Sequence, residues 1–320
     1  MSYLKKLTGP ILFEKDNYKA LYENLHTLAD MYASYTGIEA GNITDKDILL
    51  PNGNAISPIK AAHCLLEIRR TAVFLRGIYK AILQLKKDFP GQKINILYAG
   101  CGPYATLLTP FTAYFGPEEL SFYMLDINPV CLEAVEKLYK GLGLDAYIAE
   151  FICTDATTYR LPNNKTMHMA ISETMQNALA KEPQVAIMLN LIPQMPDNAI
   201  FIPEEINLSL KLIDPAEENN SFSLQDYVPE RKEIAELYTI GRTNCKGHTP
   251  LTVQIPGQTG NFRYLNIFTD ITVFKDEKLG AYNCGLNLPV KVADIKDKAS
   301  EKITFWYEMN DVPGFRHKWN

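Results

Sequence analysis

Large apolar residues recur at Tyr18, Leu21, Leu25, Leu28, Met31 and Tyr35, intervals of three and four that predict one amphipathic helix over 13–35. A polar, Gly-containing stretch follows over 37–54. Ser57-Pro58 then pairs an N-cap residue with proline at the first helical position, predicting a second long helix over 58–88 that Pro90-Gly91 ends. From residue 93 the pattern shortens. The run 93–99 (KINILYA) predicts a strand entering the glycine turn Gly100-Cys101-Gly102-Pro103. Further strands are predicted over 120–125, ending at Asp126, over 146–153 and over 167–171, with helices over 106–115, interrupted by Pro110, and over 129–141. Strands alternating with helices imply a parallel sheet covered on both faces.

After Pro203 the texture changes to strict alternation at 206–213 (INLSLKLI), 265–274 and 303–307, with turns at Pro256-Gly257, Gly260-Asn261 and Pro313-Gly314. That is the pattern of half-buried antiparallel strands. The stretch 216–238 reads as an insertion, partly helical. The expected organisation is therefore an N-terminal helical region (1–92), an α/β region with a parallel sheet (93–205) and an antiparallel β-rich region (206–320), the last serving substrate binding or dimerisation.

Composition narrows the partners. With 320 residues, 47% hydrophobic and a net charge of −5, the chain affords a large core, and its acidic balance argues against a nucleic-acid backbone as main ligand. The six cysteines form no CxxC pair, so neither a disulfide framework nor a zinc ribbon is expected. His26, His63, His168, His248 and His317 show no metal spacing, and no metal is expected. No window approaches the ~18 continuous apolar residues of a membrane span, and a soluble cytoplasmic protein is the expectation.

Candidate chemistry gathers where strands should end. Gly100-x-Gly102 lets backbone pass close to a ligand, with the following helix expected to present its N-terminal amides. A third glycine is missing, and Tyr104 stands where a dinucleotide site needs room for a pyrophosphate. Asp126, 26 residues after Gly100, is placed to accept both hydroxyls of a ribose. Asp155, after the third strand, is placed to take an adenine amino hydrogen while the Ala156 amide meets a ring nitrogen.

In order and approximate spacing, Gly100-x-Gly102, Asp126 and Asp155-Ala156 resemble the class I methyltransferases that use S-adenosyl-L-methionine, over residues 93–171. The acid that family commonly carries two residues before the first glycine is Tyr98 here, and Pro103-Tyr104 also departs from its pattern. Beyond the fourth strand, Ser172, Glu173, Met175, Leu179 and Glu182 match the double-glutamate loop of the protein arginine methyltransferases, whose two glutamates clamp the guanidinium being methylated. The segment from Leu191-Ile192-Pro193 to Phe201-Ile202-Pro203 is similar to that family's passage from its Rossmann-like domain into its barrel. Tyr32-Ala33-Ser34-Tyr35 resembles its aromatic N-terminal motif, and Arg70-Thr71 its arginine that meets the cofactor carboxylate. Its Thr-His-Trp loop has no counterpart: His248-Thr249 reverses part of it, and both tryptophans, Trp306 and Trp319, lie near the C-terminus.

The resemblance implies a Rossmann-like sheet followed by a barrel-like β domain, and S-adenosyl-L-methionine as cofactor. Its implied ligands are Arg70, Tyr98, Gly100, Cys101, Gly102, Asp126, Ile127, Asp155, Ala156 and Glu173, with Glu173 and Glu182 as the catalytic pair. The methyl acceptor would be a cationic guanidino or amino nitrogen on a small molecule or a peptide, and a homodimer is one assembly open to it. Two rivals stand beside this reading: an NAD-dependent oxidoreductase, with Asp126 on the NAD ribose, and a catalytically silent binding protein of the methyltransferase fold, motivated by Tyr98 and Pro103.

Overall fold

The N-terminal region carries more elements than its strongest periodicity announces. In the computed structural model, which describes residues 3–15, 17–39, 46–223 and 227–320, helix α1 (Tyr3–Phe13) buries Leu4, Leu7, Ile11 and Leu12. Helix α2 (Tyr18–Thr36) starts where Asn17 accepts the Ala20 N–H and stops at left-handed Gly37. A hairpin of strands β1 (Ile48–Leu50) and β2 (Gly53–Ala55) follows, inside the stretch expected to be only polar connection. The single helix expected over 58–88 is broken. Ser57 caps α3 (Pro58–His63), a 3₁₀ turn runs over Cys64–Leu66, and Glu67 leaves helical geometry (ψ 77°) before α4 (Ile68–Asp88) begins. The Thr71 hydroxyl lies between the Cys64 and Leu65 carbonyls, donating to oxygens that a continuous helix would have used internally.

Strands β3 (Ile94–Ala99), β4 (Leu120–Asp126), β5 (Ile148–Cys153), β6 (Met169–Ser172) and β7 (Ile200–Ile202) form one parallel sheet in the order β5-β4-β3-β6-β7. Helix α5 (Pro129–Leu142) connects β4 to the β5 side, and α6 (Gln184–Leu191) precedes β7. The order reverses between β3 and β6, which opens a crevice at the carboxyl edge there. No helix forms over 106–115. Ala105 sits at φ +43°, the Thr109 hydroxyl reaches the Tyr104 and Ala105 carbonyls, and only a 3₁₀ turn, Thr109–Ala113, follows. Prolines at 103 and 110 and this side-chain competition replace the helix ladder.

The C-terminal region is antiparallel, as the alternation predicts. It comprises β8 (Glu205–Ile213), α7 (Pro215–Ser223), β9 (Arg231–Gly241), β10 (Leu251–Gln254), β11 (Tyr264–Phe274), β12 (Glu277–Leu279), β13 (Val290–Asp294), β14 (Lys302–Glu308) and β15 (Gly314–Trp319). One sheet runs β12-β11-β8-β9 with β13 also on β11; another runs β10-β14-β15. The insertion expected over 216–238 is shorter than that, because β9 pairs with β8 from Arg231 onward. Its half-exposed residues and two bulges blur the alternation that marks the other strands. Helix α4 lies against β11 closely enough that a methyl group at Gly77 would come within 2.5 Å of Val273. One continuous apolar core results, and among the described residues no helix is long and apolar enough to cross a membrane.

Candidate functional site

The crevice is built first by the glycine turn. The Gly100 and Cys101 amides donate to the Leu125 carbonyl at 2.8 and 3.1 Å, so the chain leaving β3 curls over the end of β4. Gly100 does this at φ +76°, and a side chain there would drive its Cβ to 2.5 Å from Thr174. Asp126 locks the arrangement: its Oδ2 accepts the Gly102 N–H and its Oδ1 the Asn128 N–H, both at 2.9 Å. Burial pushes this carboxyl above its ordinary range, while the Asn128, Gly102 and Ile127 amides pull it back in part. Each oxygen keeps a lone pair for a further donor. Along the same edge the Asp155 carboxylate accepts the Thr157 N–H at 2.8 Å, and the Asn190 side chain fixes the Ala156 carbonyl at 2.9 Å.

The glutamate segment supplies the other wall. Glu173, directly after β6, is paired with Arg70 from the first turn of α4; its second oxygen, Oε1, is buried without a partner. Glu182 is 7% exposed. Burial raises its carboxyl, opposed by a hydrogen bond from Gln176 and by the Arg70 and Lys60 charges, with Asp47 adding to the rise. Nine residues separate the two glutamates in the chain, yet both line one cleft. The segment between them achieves this by strain: Ala178, Leu179 and Lys181 all sit at φ between +53° and +64°. The fold holds it there from several sides. Thr269 Oγ1 accepts the Ala178 N–H at 3.1 Å, the Pro313 carbonyl accepts the Lys181 N–H at 2.8 Å, and Tyr307 donates its hydroxyl to the Leu179 carbonyl at 2.8 Å. From the opposite flank, Asn54 donates its amide to the Lys181 carbonyl at 2.7 Å.

Arg70, Tyr98, Gly100, Cys101, Gly102, Asp126, Ile127, Asp155, Ala156, Glu173 and Glu182 thus surround a single cleft. The aromatic pair does not join them. Tyr32 is fully buried against Tyr104, 5.5 Å between ring centres, and Tyr35 packs on Gly141. Tyr104 also turns away, its hydroxyl donating to the Ile38 carbonyl, so it does not occupy the space a pyrophosphate would need. What weighs against a dinucleotide is the missing helix after the turn, which leaves no helical N-terminus for a diphosphate. Sequence reasoning missed the β1–β2 hairpin, from which Leu50, Asn54 and Ala55 line the cleft. Its trace was present: an Ile-Leu-Leu run followed by Pro51-Asn52-Gly53, proline, asparagine and glycine each at a favoured turn position. The stretch Tyr282–Leu288 stands where the β-rich half meets α4, with the Gly285 amide donating to Glu67 at 3.1 Å; it contains neither histidine nor tryptophan.

No family model and no curated protein sequence matches the chain. Solved structures do match, 301 chains in all. One is the Trypanosoma brucei PRMT1 enzyme-prozyme heterotetrameric complex with AdoHcy, at a TM-score of 0.52 and 15% identity, covering 80% of this chain and 91% of that one. The chain shares the fold of that structure. The correspondence extends over the parallel sheet and the antiparallel β domain together, since a match to the sheet alone could not reach 80% of the chain.

Proposed function

We propose that the cleft binds S-adenosyl-L-methionine and that the protein methylates a nitrogen of a cationic guanidino or amino group, on a small molecule or a peptide. The observation that carries this reading is the convergence of Glu173 and Glu182, with Arg70 of α4 paired to Glu173, beside the glycine turn of a methyltransferase-fold sheet. The residues present suit the cofactor. Gly100 brings bare backbone to the cleft where a Cβ would collide with Thr174, the free lone pairs of Asp126 suit ribose hydroxyls, and Asp155 with the Ala156 amide suits an adenine edge. Arg70 is the cation for a carboxylate, while Tyr98, Cys101, Gly102 and Ile127 are walls. Burial holds Tyr98 in its protonated form, far above the ordinary phenol range, so it can give one neutral hydrogen bond where the family commonly has an acid.

Bound S-adenosyl-L-methionine supplies an electrophilic methyl group. The chain's own part is to align a nitrogen with that carbon and to keep water out. Two carboxylates gripping the same cation fix its orientation and draw its charge away from the attacking nitrogen. A proton must then leave that nitrogen. Glu182, whose affinity for protons burial has raised, is suited to take it, and Glu173, tied to Arg70, is suited to position.

Calorimetry and thermal shift with S-adenosylhomocysteine and NAD test the cofactor. S-adenosylhomocysteine is expected to bind and NAD to leave the melting point unchanged; the reverse result would overturn the reading. A screen of guanidines, amines and peptides for S-adenosylhomocysteine release tests turnover, and binding with no turnover across the panel would support a silent binding protein.

A further inference from the structure

Among the described residues lining the cleft, two buried side-chain polar atoms have no hydrogen-bond partner: Glu173 Oε1 and Asn54 Oδ1. Both accept hydrogen bonds and cannot donate them. A buried oxygen left unpaired is costly, and one facing a ligand cleft is paired when a donor arrives. Asn54 belongs to β2, which the fold seats on the glutamate segment. Its amide donates to Lys181, and Gly53 before it, at φ +133°, approaches so closely that a Cβ would lie 2.9 Å from the Glu182 carbonyl carbon and the Pro183 nitrogen. The other end of the hairpin turn reaches the adenine side of the cleft, where Asn52 donates to Thr157 Oγ1 at 3.5 Å. The hairpin therefore spans the cleft, with Asn54 at its glutamate end.

Resting on the reading of the two glutamates as a cation clamp, we propose that Asn54 is a third positioning group for the methyl acceptor, its carboxamide oxygen accepting an N–H that neither glutamate holds. A neutral oxygen suits this place. Asp47 already lies near Glu182, and another negative charge would push that carboxyl further toward its neutral form, whereas a carboxamide adds direction without charge. With acceptors on the β6 side (Glu173), on the following segment (Glu182) and on the covering hairpin (Asn54), a planar or tetrahedral cation is held from three directions instead of two.

The probe is agmatine, which carries a guanidinium and an amine, titrated into the full-length protein saturated with S-adenosylhomocysteine. Asn54→Ala removes the oxygen and keeps the backbone bond to Lys181; it is expected to weaken agmatine by about tenfold or more, the usual worth of a hydrogen bond to a charged group. S-adenosylhomocysteine affinity should stay within about twofold of wild type, and Asn54→Gln, which keeps a neutral carboxamide oxygen on a longer side chain, should recover part of the agmatine binding. Unchanged agmatine affinity in Asn54→Ala overturns the role of Asn54 and leaves the clamp intact. Equal weakening of S-adenosylhomocysteine overturns it too, assigning the residue to the cofactor. If wild type does not bind agmatine, the cationic-acceptor reading itself fails, and the role of Asn54 with it.

Discussion

Asp126 shows how one side chain can serve the fold and the site together. Both of its oxygens already accept backbone amides, from Gly102 and Asn128. Asp126→Ala is therefore expected to weaken S-adenosylhomocysteine by about 30-fold or more, from lost ribose contacts and a loosened turn together. Asp126→Asn should do no better in the same titration, because its amide nitrogen would face a backbone N–H. Wild-type affinity in Asp126→Asn would overturn the role given to these two bonds. Glu182 makes the opposite trade. Its carboxyl is raised by burial, so relative to an unfolded glutamate it favours the folded state at low pH, and that contribution disappears as pH rises through its folded-state value. Glu182→Gln should then cost about 100-fold in turnover or more while melting higher than wild type at pH 7. The difference in melting temperature should vanish below about pH 4, where an unfolded glutamate is also protonated. A variant that melts lower at neutral pH would show that ionised Glu182 supports the fold.

At the scale of elements, the site depends on one hairpin and one strained segment pressed together. Gly53→Ala would put a Cβ into the Lys181–Pro183 backbone at a φ that side chains avoid. The expected cost is about 1–3 kcal/mol, and hydrogen exchange at Asn54, whose amide is held by Lys181, should rise more than exchange in β3 or β4. Uniform acceleration across the sheet would instead mean that the hairpin is part of the global fold. The same pairing explains what the sequence left unread here. Two of the seven residues from Gln176 to Glu182 adopt left-handed geometry inside a single 3₁₀ turn, Ala178 and Leu179, and neither has the intrinsic preference for it. Bonds from Thr269, Tyr307 and Pro313, roughly 90 to 130 residues away in the chain, impose it.

Across the whole molecule, a buried carboxylate ties the N-terminal helices to the β-rich half. Glu277 on β12, with its side chain 4% exposed, accepts from Arg76 at 3.1 Å, Lys80 at 2.7 Å and Lys15 at 2.9 Å. Burial alone would raise this carboxyl, but the bonds from Lys80, Lys15 and Arg76 outweigh it and hold it below the ordinary range. Its stabilising effect is thus present above the unfolded carboxylate value and lost as pH falls through the folded one. Glu277→Ala leaves Arg76 buried and unpaired, an expected loss of about 3–5 kcal/mol in denaturant unfolding, and the variant's stability should change less than wild type's between pH 5 and 3. A loss below about 1 kcal/mol would reduce the cluster to a surface pair.

Local chemistry in the sequence determined the parallel sheet, the glycine turn after β3, the acids closing β4 and β5, and the alternating strands after Pro203, because each depends on residues within one or two elements of each other. The nine-residue spacing of Glu173 and Glu182 was legible as well, on a family resemblance. Tertiary structure alone decided that these two face one cleft, that Arg70 and not Arg69 or Arg76 meets Glu173, that Tyr32 and Tyr104 are core, and that Asn54 stands over the site. The physical reason is distance along the chain. A broken helix at Glu67, a strained segment at 178–181 and a hairpin at 48–55 are each stabilised by partners that no local window contains.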